Sequence, residues 1–286
     1  MAGITTSTVD DLCNIAIAES RLWLPQRANL REVITNYNIP SNPYRIPIFT
    51  SAPTVVSVTE GTDVTTTSDL STDGVNITAA TKMVRTYISD LVDAVSVEQL
   101  GVKFGNWAAQ QLAAKINQDI YALFDGFSSV CGDTTSLMSP TLIREARAIL
   151  EKNGANEPFY LAITPHMHED LLASLDQTSV GTYRVSNVLV DKAQVTGKIE
   201  EIFGVKVLIV NNLAAGTSAG QKDSATLKAG MFSAEALAIN TVWDVRVRAL
   251  PDLSMVGNEI VADIAYGVAE LHDEAGVEIV CVNNND

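Results

Sequence analysis

SVEQLGVKFGNWAAQQLAAKINQDIYALFDGF, residues 96–127, is the longest stretch whose apolar positions keep a helical period. Leu100, Phe104, Ala108, Leu112, Ile116, Ile120 and Phe124 fall four apart and form a ridge along one side of an α-helix. Ser96 with Gln99 has the form of a capping box, and Gly126 suits a left-handed C-terminal cap, so one helix is expected over about 97–125. At 1.5 Å per residue it is about 40 Å long. Gly101 and Gly105 oppose it by about 1 kcal/mol each relative to Ala. Burying its large apolar side chains, Trp107 included, contributes about 10–15 kcal/mol gross, so packing decides. A four-residue ridge drifts by about 40° per step on a 3.6-residue helix, so this face winds round the axis and meets several partners in succession. The helix reads as a spine.

The totals bound the rest. With 286 residues, 47% of them hydrophobic, the chain can bury a substantial core as one elongated domain or two smaller ones. It has no apolar run long enough to span a membrane, and the start, MAGITTSTVDD, lacks the basic and apolar regions of a signal peptide. A cytoplasmic protein is expected. Cys13, Cys131 and Cys281 are odd in number and widely scattered, which reads as incidental or buried thiols rather than a disulfide framework or a metal knuckle. A formal charge of −15, from 19 basic against 34 acidic residues, argues against tight nucleic-acid recognition, although an acidic protein can enclose nucleic acid without gripping it.

Residues 8–24 have the pattern of a short amphipathic helix ended or kinked by Pro25, and residues 28–34 allow another turn or two. Pro40, Pro43 and Pro47 then impose extended chain. Residues 1–52 are therefore expected to form an arm lying along another subunit. TVVSVT (54–59) and VNITAAT (75–81) are rich in β-branched residues and are expected to pair as a long hairpin around EGTDVTTTSDLSTDG (60–74). That connection cannot build a core of its own, and an isolated ribbon is marginal in water, so it needs a surface supplied by a neighbour. An irregular or helical passage around residues 87–95 leads into the spine. Beyond it, Ser139-Pro140 starts a helix with the face Leu142, Ile143, Ala146, Ile149 and Leu150, stopped at Gly154. FYLAITP (159–165) reads as a buried strand, HMHEDLLASL as a helix, and Val205 to Val210 as a strand buried on both faces. LKAGMFSAEALAI supplies a strand or short helix, and TVWDVRVRAL and GVEIVCV are closing β-runs. The irregular alternation indicates α+β architecture.

Catalytic signatures are sparse. There is no phosphate loop, nucleophile elbow, zinc helix or dinucleotide turn. His166, His168, Glu169 and Asp170 come closest to a site, but i and i+2 ligands diverge by about 200° on a helix, and a solvated helix start suits them better. His272 has no local partner for a nucleophilic triad. Asp69 and Asp73 lack calcium-loop spacing. No cofactor and no metal is expected, and helical spacing assigns Trp107 to core packing.

The order of parts, namely a proline-interrupted arm, a long hairpin with an EGTD turn, a spine helix, and an α+β region with FYLAITP and TGKIEEIFGVKVLIV, resembles the major capsid proteins of tailed bacteriophages with the Hong Kong 97-type fold. WDVRVRALPDL and AYGVAELHDEAGVEIV look like the return strands of that family's peripheral domain. The resemblance implies an N-terminal arm (1–52), an E-loop hairpin (53–81), a peripheral domain with the spine (82–138), an axial domain (139–240) and peripheral return strands (241–286). It further implies a structural virion protein that self-assembles, as pentamers and hexamers, into an icosahedral shell around double-stranded DNA, put together in the host cytoplasm. Scaffolding, portal and decoration proteins are the implied partners. Inter-subunit contact falls to the E-loop tip: Glu60, Gly61, Thr62, Asp63, Val64, Leu70 and Gly74. Residues 45–81 contain no lysine, so the E-loop lysine that cross-links some relatives has no counterpart. The arm is shorter than the scaffolding region that certain members remove, which leaves maturation cleavage open. An encapsulin-like compartment enclosing enzyme cargo shares the fold, and a soluble hydrolase using His272 or the His166 cluster is the alternative from another class.

Overall fold

The four-residue ridge becomes a 22-residue helix, and two β-sheets are arranged around its C-terminal half. This computed structural model describes residues 29–49, 55–61, 63, 72–89, 100–176, 199–210, 213, 225–252, 254 and 256–283. The expected helix at 8–24, the Ser96 capping box and the passage over 90–95 lie outside them. A 3-10 turn at Asn29–Glu32 precedes β1 (Thr35–Tyr37), β2 (Tyr44–Phe49), β3 (Thr72–Ile77) and β4 (Ala80–Ser89). The spine α1 (Leu100–Tyr121) runs on into a 3-10 turn (Ala122–Gly126), followed by β5 (Val130–Gly132), α2 (Pro140–Lys152), β6 (Phe159–Ile163) and α3 (Pro165–Asp176). Then come β7 (Glu201–Ile202), β8 (Val205–Ile209), β9 (Thr226–Ser233), β10 (Leu237–Asp252), β11 (Gly257–Glu270), a 3-10 turn (Asp273–Ala275) and β12 (Gly276–Val282). The strands make a four-stranded sheet, β1-β10-β11-β4, a six-stranded sheet, β5-β12-β9-β6-β8-β7, and the two-stranded ribbon β2-β3.

The spine joins the two larger sheets. Phe104, Ala108, Leu112, Ile116, Ile120 and Phe124 are buried, packing with Leu30, with Val247, Ile260, Ala262, Ile264 and Tyr266 of the four-stranded sheet, and with Ala162 and Phe232 of the six-stranded one. Alternation along β6 explains why it is buried on both faces. Phe159, Leu161 and Ile163 enter a second core beneath α2 and α3 (Ile143, Leu150, Met167, Leu171), while Ala162 faces the spine. Ala162 pairs with Gly230, and these two small residues leave the depression that the Phe124 ring fills. A polar anchor fixes the register: the Tyr266 hydroxyl donates to Asp119 Oδ2 at 2.8 Å, and Lys115 reaches Asp119 Oδ1 at 2.7 Å. At the spine's end Lys228 bridges Asp125 and Glu278, the latter at 2.8 Å.

Several expectations are corrected. Trp107 is 47% exposed, because it sits one residue short of the i+4 step from Phe104 and projects from the flank of the ridge, its ring 6.3 Å from that of Phe104. Gly126 is not a left-handed cap; the helix tightens into the 3-10 turn and ends where the Phe127 N–H bonds to Phe124 O at 3.4 Å. β4 runs on to Ser89, so residues 87–89, expected to begin an irregular or helical passage, are strand. Half-buried Lys82, Val84, Thr86 and Ile88 alternate with exposed Met83, Arg85 and Tyr87 as β4 pairs antiparallel to β11. β8 is not buried on both faces, since Lys206 is exposed between buried Val205 and Val207 beside the two-residue edge strand β7. Phe203 and Gly204, at φ +51° and +75°, form the tight turn between them. β12 (Gly276–Val282) is not a return strand of the same sheet as β10 and β11; it pairs with β9 and β5 in the six-stranded sheet. The helices at Pro140 and Pro165 and the strand at Phe159 form where expected, with Gly154 at φ +77°.

A Cβ at Gly230 would lie 2.5 Å from the Cγ of Phe124, whose ring is fully buried. Gly230→Ala is expected to cost about 1–3 kcal/mol, seen as a lower urea midpoint at unchanged slope; an unchanged midpoint would show that the ring is free to move aside.

Candidate interaction surface

The ribbon is built from a different pair of segments than the β-branched runs indicate. Tyr44 to Phe49 pairs antiparallel with Thr72 to Ile77, in register from Tyr44↔Ile77 to Phe49↔Thr72, whereas residues 55–59 form no strand. Pro47 is tolerated because a two-stranded ribbon leaves each strand one unpaired edge. It stands opposite Gly74, and a side chain at Gly74 would run into Arg45. Gly74 therefore belongs to β3 and not to the tip.

Of the other expected contact residues, Glu60 and Gly61 form an exposed turn with Gly61 at φ +84°, and Asp63 is exposed. Thr62, Val64 and Leu70 lie outside the described residues. Beside the turn, Val55 is 95% and Val58 66% exposed. The tip thus offers apolar side chains next to carboxylates. Of the predicted spine residues, Leu100 lies in α1, while Leu112, Ile116, Ile120 and Phe124 face the chain's own core with Phe104, so they are not contact residues.

Two asparagines that sequence reasoning did not single out hold the root of the ribbon. Asn240, fully buried in β10, accepts the Ile39 N–H at 3.0 Å through Oδ1 and donates through Nδ2 to Ile39 O at 3.2 Å. Asn42 accepts the Ala79 N–H at 3.0 Å and donates to Ala79 O at 2.9 Å, joining the base of β2 to that of β3. Ile77 is fully buried, and the Tyr37 and Tyr44 rings meet at 5.6 Å. The segment leading in also belongs to the body: Leu30 is fully buried, Asn29 donates to Ile209 O at 2.9 Å, and β1 lies parallel to β10. Residues 29–39, expected within an arm lying along another subunit, pack on their own chain.

The face of the four-stranded sheet turned away from the spine is a second exposed surface. Asp263, 2% exposed, accepts Trp243 Nε1–H and Arg248 Nη2–H, both at 3.0 Å, and Arg246 lies over the Trp243 ring at 4.0 Å. Arg85 donates to Glu259 at 2.9 Å. Met83 (67%) and Leu250 (68%) stand exposed nearby.

His166, His168, Glu169 and Asp170 lie on α3, and His272 precedes the last 3-10 turn. His168 is buried, not solvated, and its Nε2 accepts the Ile199 N–H at 3.3 Å; His272 is exposed at the start of the last 3-10 turn. Burial, then Glu145, pushes the Cys131 thiol up to about 11, and burial, then Asp170, pushes Cys281 up to about 12, the reverse of an activated nucleophile. Among the described residues no group of three or more His, Cys, Asp or Glu could hold a metal, and no helix is long and apolar enough to cross a membrane.

The sequence model of the phage capsid protein family matches residues 85–279. Comparison with curated proteins finds no match. Among solved structures, a chain from Mycobacterium phage Che8 is similar with a TM-score of 0.65 at 19% identity, covering 84% of each chain. One from Microbacterium phage Oxtober96 has a TM-score of 0.67 at 14% identity over 87% of this chain and 90% of that one. The capsid of the native GTA particle has a TM-score of 0.68 at 11% identity over 90% of both.

Asn240→Leu removes the buried amide pairing at the ribbon root and is expected to cost about 1–3 kcal/mol. Limited trypsin digestion should then cleave after Arg45 several-fold faster; an unchanged rate would mean that the ribbon is held by other contacts.

Proposed function

The chain belongs to the phage capsid protein family, and from that premise we propose that each copy lays its ribbon tip, residues 50–71, across an adjoining copy. It is a structural, shell-forming virion protein with the Hong Kong 97-type fold. In the proposed reading, copies close as pentamers and hexamers into an icosahedral shell around double-stranded DNA, assembled in the host cytoplasm with scaffolding, portal and decoration proteins. The four-stranded sheet with the spine is its peripheral domain, and the six-stranded sheet with α2 and α3 is its axial domain. It carries no catalytic activity.

The observation that carries this reading is the ribbon. Its strands pair with each other, and its tip exposes Val55 and Val58 beside Glu60 and Asp63. A two-stranded ribbon of this kind is marginal in water and gains stability from a surface to lie on. A closed shell supplies that surface to every copy at once, because symmetry repeats each contact. The charge of −15 suits a container whose wall repels the packaged polyanion.

Phe49 and Thr72 stand opposite each other, so an Asn-Gly turn can replace residues 50–71 without disturbing the ribbon. This variant is expected to fold, with unchanged far-ultraviolet circular dichroism, and to form no closed particles in negative-stain micrographs. Normal particles would refute the role given to the tip. Replacing His166 and His272 together should leave assembly intact, and nucleic acid inside native particles distinguishes a virion shell from a compartment that encloses enzymes.

A further inference from the structure

The outer strands of the two large sheets differ in how open they are. The six-stranded sheet ends in β5, of three residues, and β7, of two, both too short to template a further strand. On the four-stranded sheet β1 covers only Ala238 to Asn240 of β10; beyond it β10 is broken by register shifts between Thr241 and Trp243 and between Trp243 and Arg246, and carries Pro251 near its end. Such shifts twist an edge out of line. β4 is regular. Its ten residues, Ala80–Ser89, keep an unbroken antiparallel register with β11 from Ala80↔Tyr266 to Ser89↔Gly257, include no proline, and have no strand on their other side among the described residues. An outer strand directs the N–H and C=O groups of alternate residues away from its sheet. The side chains agree: no residue of β4 is buried, and Val84 and Ile88, which face the core around the spine, are only half-covered there.

A second segment lacks the neighbour that its composition suits. VVSVT, residues 55–59, is β-branched at every position but Ser57, yet it forms no strand and is exposed throughout. We infer that residues 55–59 of one copy add as a further strand to the open edge of β4 in an adjoining copy. The inference rests on the reading that the ribbon tip lies across a neighbour, and it names where the tip lands. Because the segment is exposed in the single chain, β4 of its own copy does not receive it. Extended, the five residues span about 17 Å, well within the length of β4. Main-chain hydrogen bonds to alternate β4 residues hold the segment, as in other cases of strand addition. Alternation then sets Val56 and Val58 beside Val84 and Ile88, completing the cover of the spine's core, and turns Val55, Ser57 and Thr59 to the outer face. Charge selects the pairing: β4 carries Lys82 and Arg85 and no acidic residue, whereas residues 55–63 carry Glu60 and Asp63 and no basic one. Lys82 and Arg85 each meet a carboxylate of their own chain, Asp119 and Glu259, so they steer the incoming segment while the ladder holds it.

The test uses the full-length protein. Val56→Pro and Ser57→Pro occupy adjacent positions, one of which must direct its N–H at β4, and proline removes that donor. At least one of the two is expected to lower the yield of closed particles about tenfold or more, while its free subunits keep the wild-type melting temperature, since the segment is exposed there. Val55→Thr keeps the backbone preference of a strand and is expected to assemble within about twofold of wild type. Hydrogen exchange, compared between closed particles and free subunits, should slow about tenfold over residues 80–89 together with 55–59. If subunits do not close unaided, the peptide of residues 54–63, added to the variant whose tip is replaced by Asn-Gly, is expected to protect residues 80–89 in the same way. Normal assembly of both proline variants, loss of assembly in Val55→Thr as severe as theirs, or exchange in β4 that neither closure nor the peptide slows overturns the inference and leaves the tip's role standing. Normal particles from the Asn-Gly variant refute that role itself.

Discussion

The contact on which the rest of the molecule depends is that of the spine's last two turns with both large sheets at once. Ile116, Ile120, Tyr121 and Phe124 are at most 2% exposed, and they touch the β10-β11 side on one flank and Phe232 on the other. At about 1.5–3 kcal/mol for each large buried side chain, this cluster outweighs any polar contact near it. The half-exposed pair Lys115–Asp119 contributes at most about 1 kcal/mol. The division of labour follows: apolar packing holds the sheets to the helix, while Tyr266, Asp119 and Lys228 decide at which rotation and height it sits.

That contact was legible in the sequence because it is periodic and local. A ridge spaced by four predicts burial at Phe104, Leu112, Ile116, Ile120 and Phe124, and its drift predicts more than one partner. Local punctuation was equally readable. Pro140 opens a helix and Gly154 closes it because proline's fixed φ suits the first helical position, and glycine adopts the φ of +77° found there. The continuous apolar run FYLAI reads as a buried strand, and β6 lies between α2 and α3 on one side and the spine on the other.

What was not legible depends on partners far away in sequence. β-branched content favours residues 54–59 for the hairpin, yet pairing went to YRIPIF, in the proline-interrupted stretch that reads only as extended chain. Propensity reports how well a residue suits a pleated surface, not which surface is present. The same limit hides β12, whose composition suits either sheet and whose place is decided by β5 and β9, more than forty residues upstream. The buried amides of Asn42 and Asn240 carry no signal at all in one dimension, since each serves backbone groups more than thirty positions away. Of the candidate surface, then, its location on a long hairpin was readable and its register and root were not.

The charge distribution bears on how such a surface works. Many basic groups of the described residues point into pairs: Lys228 to Asp125 and Glu278, Arg246 and Arg248 to Asp263, Arg85 to Glu259, and Lys82 and Lys115 to Asp119. With a net charge of −15, two copies approaching each other meet repulsion at long range. In about 0.15 M salt that repulsion is screened beyond roughly 8 Å, which is close to the reach of side chains. Attraction must therefore come from surfaces in direct contact, and the described residues offer Val55, Val58, Met83, Leu250 and Val256 as exposed apolar groups. Short-range apolar gain set against screened repulsion makes each contact weak and its geometry selective: a misplaced copy keeps the repulsion and loses the burial. Weak contacts that can be undone and remade are what a closed shell needs if errors are to be removed before it seals.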